Sequence, residues 1–284
     1  MNSTKTWFIT GASKGLGLSF VKQLLQQGQQ VAATSRNIND LISAVGENVE
    51  GFLPLAVDIK SESSVQNAVA ATIQHFGRID VAVNNAGYGL AGSLEELSDA
   101  ESRDNFDVNV FGTLNVIRGV LPYMREQQAG HIINISSIGG FIGTFPGFGI
   151  YCATKFAVDG LSESLSTEIK EFGINVTIVS PGYFRTQFLT ADSLRVPANE
   201  IAAYKAVRAA QELHQQDING NQPGDPEKAV AAVIRIANEK NPPLHLFLGE
   251  DAYELAHKKI AAIEKDMEDW KTLATATAHE AVNA

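Results

Sequence analysis

The sequence predicts an α/β fold: a doubly wound parallel sheet of about seven strands, with helices on both faces and a C-terminal helical extension. Three observations carry it. Short apolar runs alternate with longer amphipathic ones along the chain. The short runs are near-continuously apolar, as strands buried on both faces are. A glycine-rich turn joins the first short run to the first amphipathic one.

Residues 7–10 (Trp-Phe-Ile-Thr) read as the first strand and 15–27 as the first helix. Further strands are expected at 30–34, 51–57, 80–84, 130–135, 174–179 and 244–248. A helix at 63–75 sets Val65, Ala68, Val69, Thr72 and Ile73 along one face. Residues 98–126 read as helical, in two pieces around Pro122, whose ring lacks the N–H a helix needs. A helix over 151–172 closes at Gly173, a C-terminal capping glycine. Helical runs follow at 199–215 and 226–238. The charged tail at 251–278 offers Tyr253, Leu255, Ile260, Ile263, Met267 and Trp270, and is expected to pack against the body. No internal repeat and no long linker divides the chain, so residues 1–284 are read as one domain.

Composition narrows the function. Hydrophobic content of 44% and charged content of 19% suit a protein with a large core. A net charge of -10 argues against a nucleic-acid surface, which needs clustered Lys and Arg, and gives no support for docking to anionic membranes. No stretch approaches the ~20 apolar residues of a membrane span, and no signal-peptide pattern precedes the first strand. Cys152 is the one cysteine, so no intrachain disulfide is expected. That is compatible with a reducing cytoplasm, the expected location. The six histidines are scattered, without metal-ligand spacing, and no metal is expected.

Tyr151 and Lys155 stand four residues apart and so share one helix face. A Tyr titrates near ~10 and a Lys near ~10.4 when unperturbed. A fixed ammonium beside a phenol favours the phenolate, so the pair can trade a proton where one Tyr could not. A packed ring beside a solvated amine is the bland alternative, and the case depends on what accompanies the pair.

The accompaniment is the run Thr10-Gly11-Ala12-Ser13-Lys14-Gly15-Leu16-Gly17. Its glycines permit a tight turn, close approach of backbone to a pyrophosphate and close helix–sheet packing. The helix that starts here points free N–H groups at phosphates. The spacing departs from G-x-G-x-x-G, and no Gly-Lys-Ser/Thr ends the loop, which disfavours phosphoryl transfer. The second strand ends Ala33-Thr34-Ser35-Arg36, with no acid before Asp40. NAD-selective sites place an acid there. Arg36, with Lys14 as a second cation, instead suits a 2′-phosphate, so NADP(H) is expected over NAD(H).

Together these motifs resemble the short-chain dehydrogenase/reductase family in its single-domain, Rossmann-fold form, over roughly residues 6 to 190. The family's Thr-Gly-x-x-x-Gly-x-Gly is met by residues 10–17 and its Asn-Asn-Ala-Gly by Asn84, Asn85, Ala86 and Gly87. A lone helical Asn is met by Asn109, the serine after the fifth strand by Ser137, Tyr-x-x-x-Lys by Tyr151 and Lys155, and Pro-Gly by Pro181 and Gly182. Asp58 matches an adenine-contacting acid and Thr186 a carboxamide contact. The Ser137-to-Tyr151 spacing is one position longer than the family's commonest; Ser136 would be further still, so Ser137 is the better candidate.

The resemblance implies hydride transfer between nicotinamide and a carbonyl or carbinol carbon. Asn109, Ser137, Tyr151 and Lys155 would form the catalytic group, with Tyr151 exchanging the proton and Lys155 lowering its pKa and holding the ribose. Ser137 would bond the substrate oxygen, and Asn109 would hold a water leading to Lys155. Cofactor contacts would fall on Gly11, Ser13, Lys14, Gly15, Leu16 and Gly17, on Arg36 and Asp58, on Asn85, Ala86 and Gly87, and on Pro181, Gly182 and Thr186, besides Tyr151 and Lys155. Loops near 88–94, 139–150 and 183–225 would wall the substrate with Tyr88, Leu90, Phe141, Ile142, Phe145, Phe148, Tyr183, Phe184, Phe188 and Leu189. These suggest a hydrophobic ketone, aldehyde or secondary alcohol, steroid- or retinoid-like by analogy. Arg185 and Arg195 are present, but no dense basic cluster awaits an anion. A homodimer or homotetramer is implied by family habit. The rival readings are a non-catalytic NADP(H) sensor, an NAD-preferring alcohol dehydrogenase and a nucleotide-sugar epimerase.

Overall fold

The computed structural model describes residues 4–279. In chain order its elements are β1 (Thr6–Ile9), α1 (Gly15–Gln26), β2 (Gln30–Ser35), α2 (Ile38–Val45), β3 (Phe52–Ala56), α3 (Glu62–Phe76) and β4 (Val81–Asn84). Then come β5 (Gly89–Leu90), α4 (Asp99–Phe106), α5 (Gly112–Gln127), β6 (Gly130–Ile135), α6 (Gly149–Glu168), β7 (Ile174–Pro181), β8 (Leu194–Arg195), α7 (Lys205–Glu212), α8 (Pro226–Ile236), β9 (His245–Leu248) and α9 (Glu250–Thr275).

Seven strands form one parallel sheet in the order β3-β2-β1-β4-β6-β7-β9, as the alternating pattern predicts. The strand order reverses between β1 and β4, which leaves a crevice at their carboxyl ends. Side chains alternate across the sheet. Trp7, Ile9, Val31 and Val83 face α1 and α8 through Phe20, Leu24, Val230 and Val233. Phe8, Ala32, Ala82 and Ile132 face the other way, onto Val65 and Val69 of α3, Val116 and Val120 of α5 and Leu165 of α6. Pro54 sits in β3, at the sheet's edge, where a missing ladder donor is tolerated.

The structure departs from the sequence reading in three places. Helix α2 was not expected; Asn37 caps it by accepting from the Asn39 N–H, and Ile38, Leu41, Ile42 and Val45 form its inner stripe. The helical break expected at Pro122 lies instead at a π-helical turn, Asp107–Phe111. Pro122 stays inside α5, where the carbonyl it leaves without a donor belongs to solvent-exposed Arg118. Finally, α9 packs on the body only through its first turns, where Ala252, Ala256 and Leu255 meet Ile138, Ile142 and Phe247. A 26-residue helix is about 39 Å long and outruns the body, so Ile260, Ile263, Met267 and Trp270 are exposed rather than packed.

Candidate active site

The carboxyl ends of β1, β4, β6 and β7 open onto one cavity of about 1040 Å³. At one end is the glycine loop. Gly11 and Gly15 adopt φ of +63° and +57°, the left-handed region that side chains disfavour. A Cβ on Gly11 would lie 2.8 Å from Ala86 Cα, and one on Gly17 only 2.4 Å from the Gly11 carbonyl oxygen. Gly17 therefore lies behind the loop rather than on the cavity. A Cβ on Gly15 would meet only Thr186, at 3.7 Å, so Gly15 borders open space.

Helix α1 begins here without a side-chain cap and without an acid in its first turn. Helices α3, α4 and α8 are capped by Ser61, Ser98 and Asp225. The free N–H groups of α1 and its positive dipole end thus remain for an anion, and the loop fits a dinucleotide pyrophosphate. Ser13, Lys14, Gly15 and Leu16 line this end.

Asn85 is a strut: its Nδ2 donates to the Thr10 and Gly11 carbonyls at 3.0 Å each. Thr10 Oγ1 in turn accepts from the Asn85 and Ala86 N–H groups at 3.0 Å. Arg36 and Lys14 are exposed at the cavity's edge, and neither forms an ion pair among the described residues. Asp58 lines the same edge and accepts from the Lys60 N–H at 3.1 Å.

Tyr151 and Lys155 lie one turn apart on α6, at 7% and 6% exposure. Lys155 Nζ donates to the Ile135 carbonyl at 2.9 Å and stands 5.9 Å from the Tyr151 ring centre. The π-helical turn presents Asn109, whose Nδ2 donates to the Tyr88 carbonyl at 3.1 Å and to Thr154 Oγ1 at 3.0 Å. Its Oδ1 accepts from the Tyr88 N–H at 3.0 Å. The Asn109 amide is thus fully engaged in joining the Gly87–Tyr88 segment to α6, and it does not line the cavity. Ser137 stands beside Tyr151, while Ser136 turns toward buried Asp159, one turn behind Lys155. The Ser137 hydroxyl accepts from the Gly139 N–H at 3.0 Å.

Burial pushes the Tyr151 phenol well above its ordinary pKa, with the Ser137 hydrogen bond opposing. Lys155, with its Nζ on the Ile135 carbonyl, does not offset that rise. Burial lowers Lys155 itself to about 8, with Asp159 opposing, and its ammonium is aimed at a carbonyl. Asp159 is raised to about 6 by burial. The cluster therefore holds a neutral phenol able to give a proton, a hydroxyl beside it and an amine that titrates near neutrality.

At the other end are aromatic walls. Phe148 and Phe188 lie 6.4 and 5.8 Å from the Tyr151 ring. Tyr88, Phe145, Tyr183, Phe184 and Leu189 line the cavity as expected. Phe141 and Ile142 do not: they pack beneath α9, and Leu90 is wholly buried. Arg195 stacks on Tyr88 at 4.3 Å and pairs with Asp104 at 2.9 Å, and Arg185 donates to the Gln222 carbonyl at 3.2 Å. Arg195 lines the cavity and stays half-exposed, whereas Arg185 is exposed and does not line it.

Beyond β7, Thr186 Oγ1 accepts from the Phe188 N–H at 3.2 Å, and Pro181 and Gly182 border the cavity. Asp251, in the first turn of α9, accepts from the Tyr183 N–H at 2.7 Å. Its carboxylate occupies the place a Gly182 side chain would take. The tail thus braces the site, which no local pattern in the sequence signals. His214 was also missed: it sits on the cavity wall against Phe148, and a lone histidine carries no sequence signature.

Residues 5–195 match the family model for short chain dehydrogenase. The chain belongs to the short-chain dehydrogenase family. As a member it is an oxidoreductase acting at a CH–OH or C=O group with a nicotinamide cofactor. A 3-ketodihydrosphingosine reductase of Bacteroides thetaiotaomicron is 40% identical over 243 residues, which cover 85% of this chain and 86% of that protein. The crystal structure of a short-chain dehydrogenase from Streptomyces avermitilis matches with a TM-score of 0.89 at 34% identity, covering 98% of this chain and all of that one. ElxO with NADP bound matches with a TM-score of 0.70 at 27% identity, covering 86% and 97%. The family model ends before α7, so the part of the substrate wall beyond residue 195 lies outside the matched region.

Proposed function

We propose that this dehydrogenase uses NADP(H) to interconvert a neutral lipophilic ketone or aldehyde and its alcohol. The observation that carries the reading is the position of Tyr151: a buried phenol where the glycine-loop end of the cavity meets the aromatic end. Bound NADP(H) would supply or take the hydride at the substrate carbon. The protein's part is to place the substrate and manage the proton. Tyr151 Oη gives its proton to the forming alkoxide in reduction, and in oxidation its phenolate takes the proton of the alcohol. Ser137 Oγ bonds the same substrate oxygen where charge develops. Lys155, charged below about pH 8, stabilises negative charge on the phenol as the proton leaves and reaches the ribose. Asn109 acts as a positioning residue, fixing Tyr88 and Thr154.

The phosphate and adenosine contacts proposed are Gly11, Ser13, Gly15 and Leu16 at the loop, Asp58 at the rim, Asn85 to Gly87 after β4, and Pro181, Gly182 and Thr186 after β7. Gly17 allows the loop to close. Arg36 and Lys14 favour a 2′-phosphate, and the likeness to ElxO with NADP agrees. The aromatic wall and the relative that reduces 3-ketodihydrosphingosine support a lipophilic substrate. A sensor without turnover is disfavoured because Asn109, Ser137, Tyr151 and Lys155 are all present.

The test is Tyr151→Phe. It is expected to lower kcat at least about 1000-fold, while NADPH still binds by fluorescence titration. Robust ketone reduction by this variant sinks the assignment.

A further inference from the structure

The substrate wall holds a polar group that the reaction above leaves unused. His214 Nδ1 lies 2.7 Å from the Ala210 carbonyl oxygen, which can only accept. Nδ1 therefore carries the proton, and Nε2 of the neutral ring presents a lone pair. Tyr183 Oη, 2.9 Å from Nε2, must be the donor of that bond. With its proton spent on His214, the Tyr183 oxygen has only acceptor capacity left. The pair is held firmly: His214 packs on Phe148 at 4.7 Å, and the Tyr183 N–H is anchored by Asp251 at 2.7 Å.

Gln222 runs alongside. The Gly224 N–H donates to the Tyr183 carbonyl at 3.0 Å, and Arg185 bonds the Gln222 carbonyl, which sets the two segments side by side. Gln222 is only 1% exposed. Its Oε1 accepts from the Gly220 N–H at 2.9 Å, but its Nε2 has no partner among the described residues. Leaving a buried amide donor unpaired costs about 1–3 kcal/mol, so such a group calls for a partner from outside the chain, a water or a ligand. Tyr183, His214 and Gln222 all line the cavity that holds Tyr151.

We propose that Tyr183, oriented by His214, and Gln222 form a subsite for a second oxygen on the substrate, a hydroxyl group distinct from the oxygen at Tyr151. This rests on the carbonyl-oxidoreductase reading and deepens it. A hydroxyl satisfies both sides, donating to Tyr183 Oη and accepting from Gln222 Nε2. An ammonium would leave Gln222 unpaired. An ether or carbonyl oxygen would set its lone pairs against those of Tyr183. The hydrocarbon remainder of the substrate lies along Phe145, Phe148 and Phe188.

The test compares medium-chain methyl ketones bearing a hydroxyl at successive positions with their methoxy and unsubstituted counterparts. Steady-state kcat/KM is measured with NADPH for the wild type, Tyr183→Phe and Gln222→Met. In the wild type one hydroxyl position is expected to raise kcat/KM about 10-fold over the plain ketone, the value of one or two hydrogen bonds, with no gain for its methyl ether. In either variant that ratio falls toward one. A wild type without hydroxyl preference at any position, or variants that keep the full ratio, overturn the subsite. If no ketone is turned over at all, the reaction reading fails instead. The subsite is then judged by calorimetric Kd of the same ligands with NADPH present, where equal affinities for hydroxy and plain ketones overturn it.

Discussion

The two ends of the cavity are built on different principles. At the glycine-loop end the constraints fall on backbone: two positive-φ glycines, a Gly17 with no room for a Cβ, an uncapped helix start and an Asn85 strut. At the aromatic end the constraints fall on side chains brought from separate segments: Tyr88 before β5, Phe148 before α6, Phe188 after β7 and His214 after α7. Backbone constraints leave few residue types acceptable at each position. An apolar wall accepts many, because hydrophobic residues of about the right size pack interchangeably. One end is therefore fit for a fixed cofactor, and the other can be varied for a substrate.

Gly17→Val breaks the comparison most directly. Its side chain would collide with the Gly11 carbonyl oxygen, 2.4 Å from the ideal Cβ. NADPH affinity is expected to fall at least about 100-fold, as one backbone-built site is lost. Undiminished NADPH binding would show that the loop has slack the geometry does not suggest.

Arg36→Ser sharpens the cofactor end. Loss of a charge-assisted contact worth about 1.5–3 kcal/mol should lower the NADPH/NADH ratio of kcat/KM by about 10- to 100-fold, chiefly through NADPH. An unchanged ratio would remove Arg36 from the 2′-phosphate contact, and an NADH preference in the wild type would return the chain to the NAD-preferring reading.

The smallest effect on catalysis is expected at His131, at the amino end of the inner strand β6, away from the cavity. Its Nε2–H donates to Thr177 Oγ1 at 2.9 Å, because Thr177 spends its own proton on the Pro243 carbonyl at 2.7 Å. Burial, with nearby Lys5, lowers the His131 pKa from 6.5 to about 4. Between those values the unfolded chain binds a proton that the folded chain does not. Stability attributable to His131 is thus fully present above pH 6.5 and declines toward pH 4, by about 3 kcal/mol. Denaturant titrations from pH 7 to 4 should show His131→Gln losing less stability than the wild type over that window, with kcat unaltered at pH 7. Parallel pH profiles for the two proteins would contradict a buried, neutral His131.

Much of this was legible along the chain. All seven strands of the main sheet lie where the apolar runs predicted; the inner five are buried on both faces and so are largely apolar, and the edge strands β3 and β9 keep apolar runs although only partly buried. Helix α2 was missed although Asn37 and a stripe at Ile38, Leu41, Ile42 and Val45 announce it. The π-helical turn had no such announcement: Asp-Val-Asn-Val-Phe has ordinary helical composition, and the break depends on what Asn109 reaches across space. The apolar positions of the tail recur at helical spacing, which predicts packing along its whole length. That spacing defines a face but not how far the body extends beneath it.

By itself the sequence determined the sheet, the glycine loop and the set of residues able to carry proton chemistry. Each follows from local rules of periodicity, backbone freedom or functional-group type. Only the tertiary structure decided that Ser136 turns toward Asp159, that the Tyr151 phenol is buried, and that Asp251 braces Gly182. It alone paired Tyr183 with His214. Desolvation and hydrogen-bond partnership depend on which distant segments meet, and the order of residues along a chain does not state which ones do.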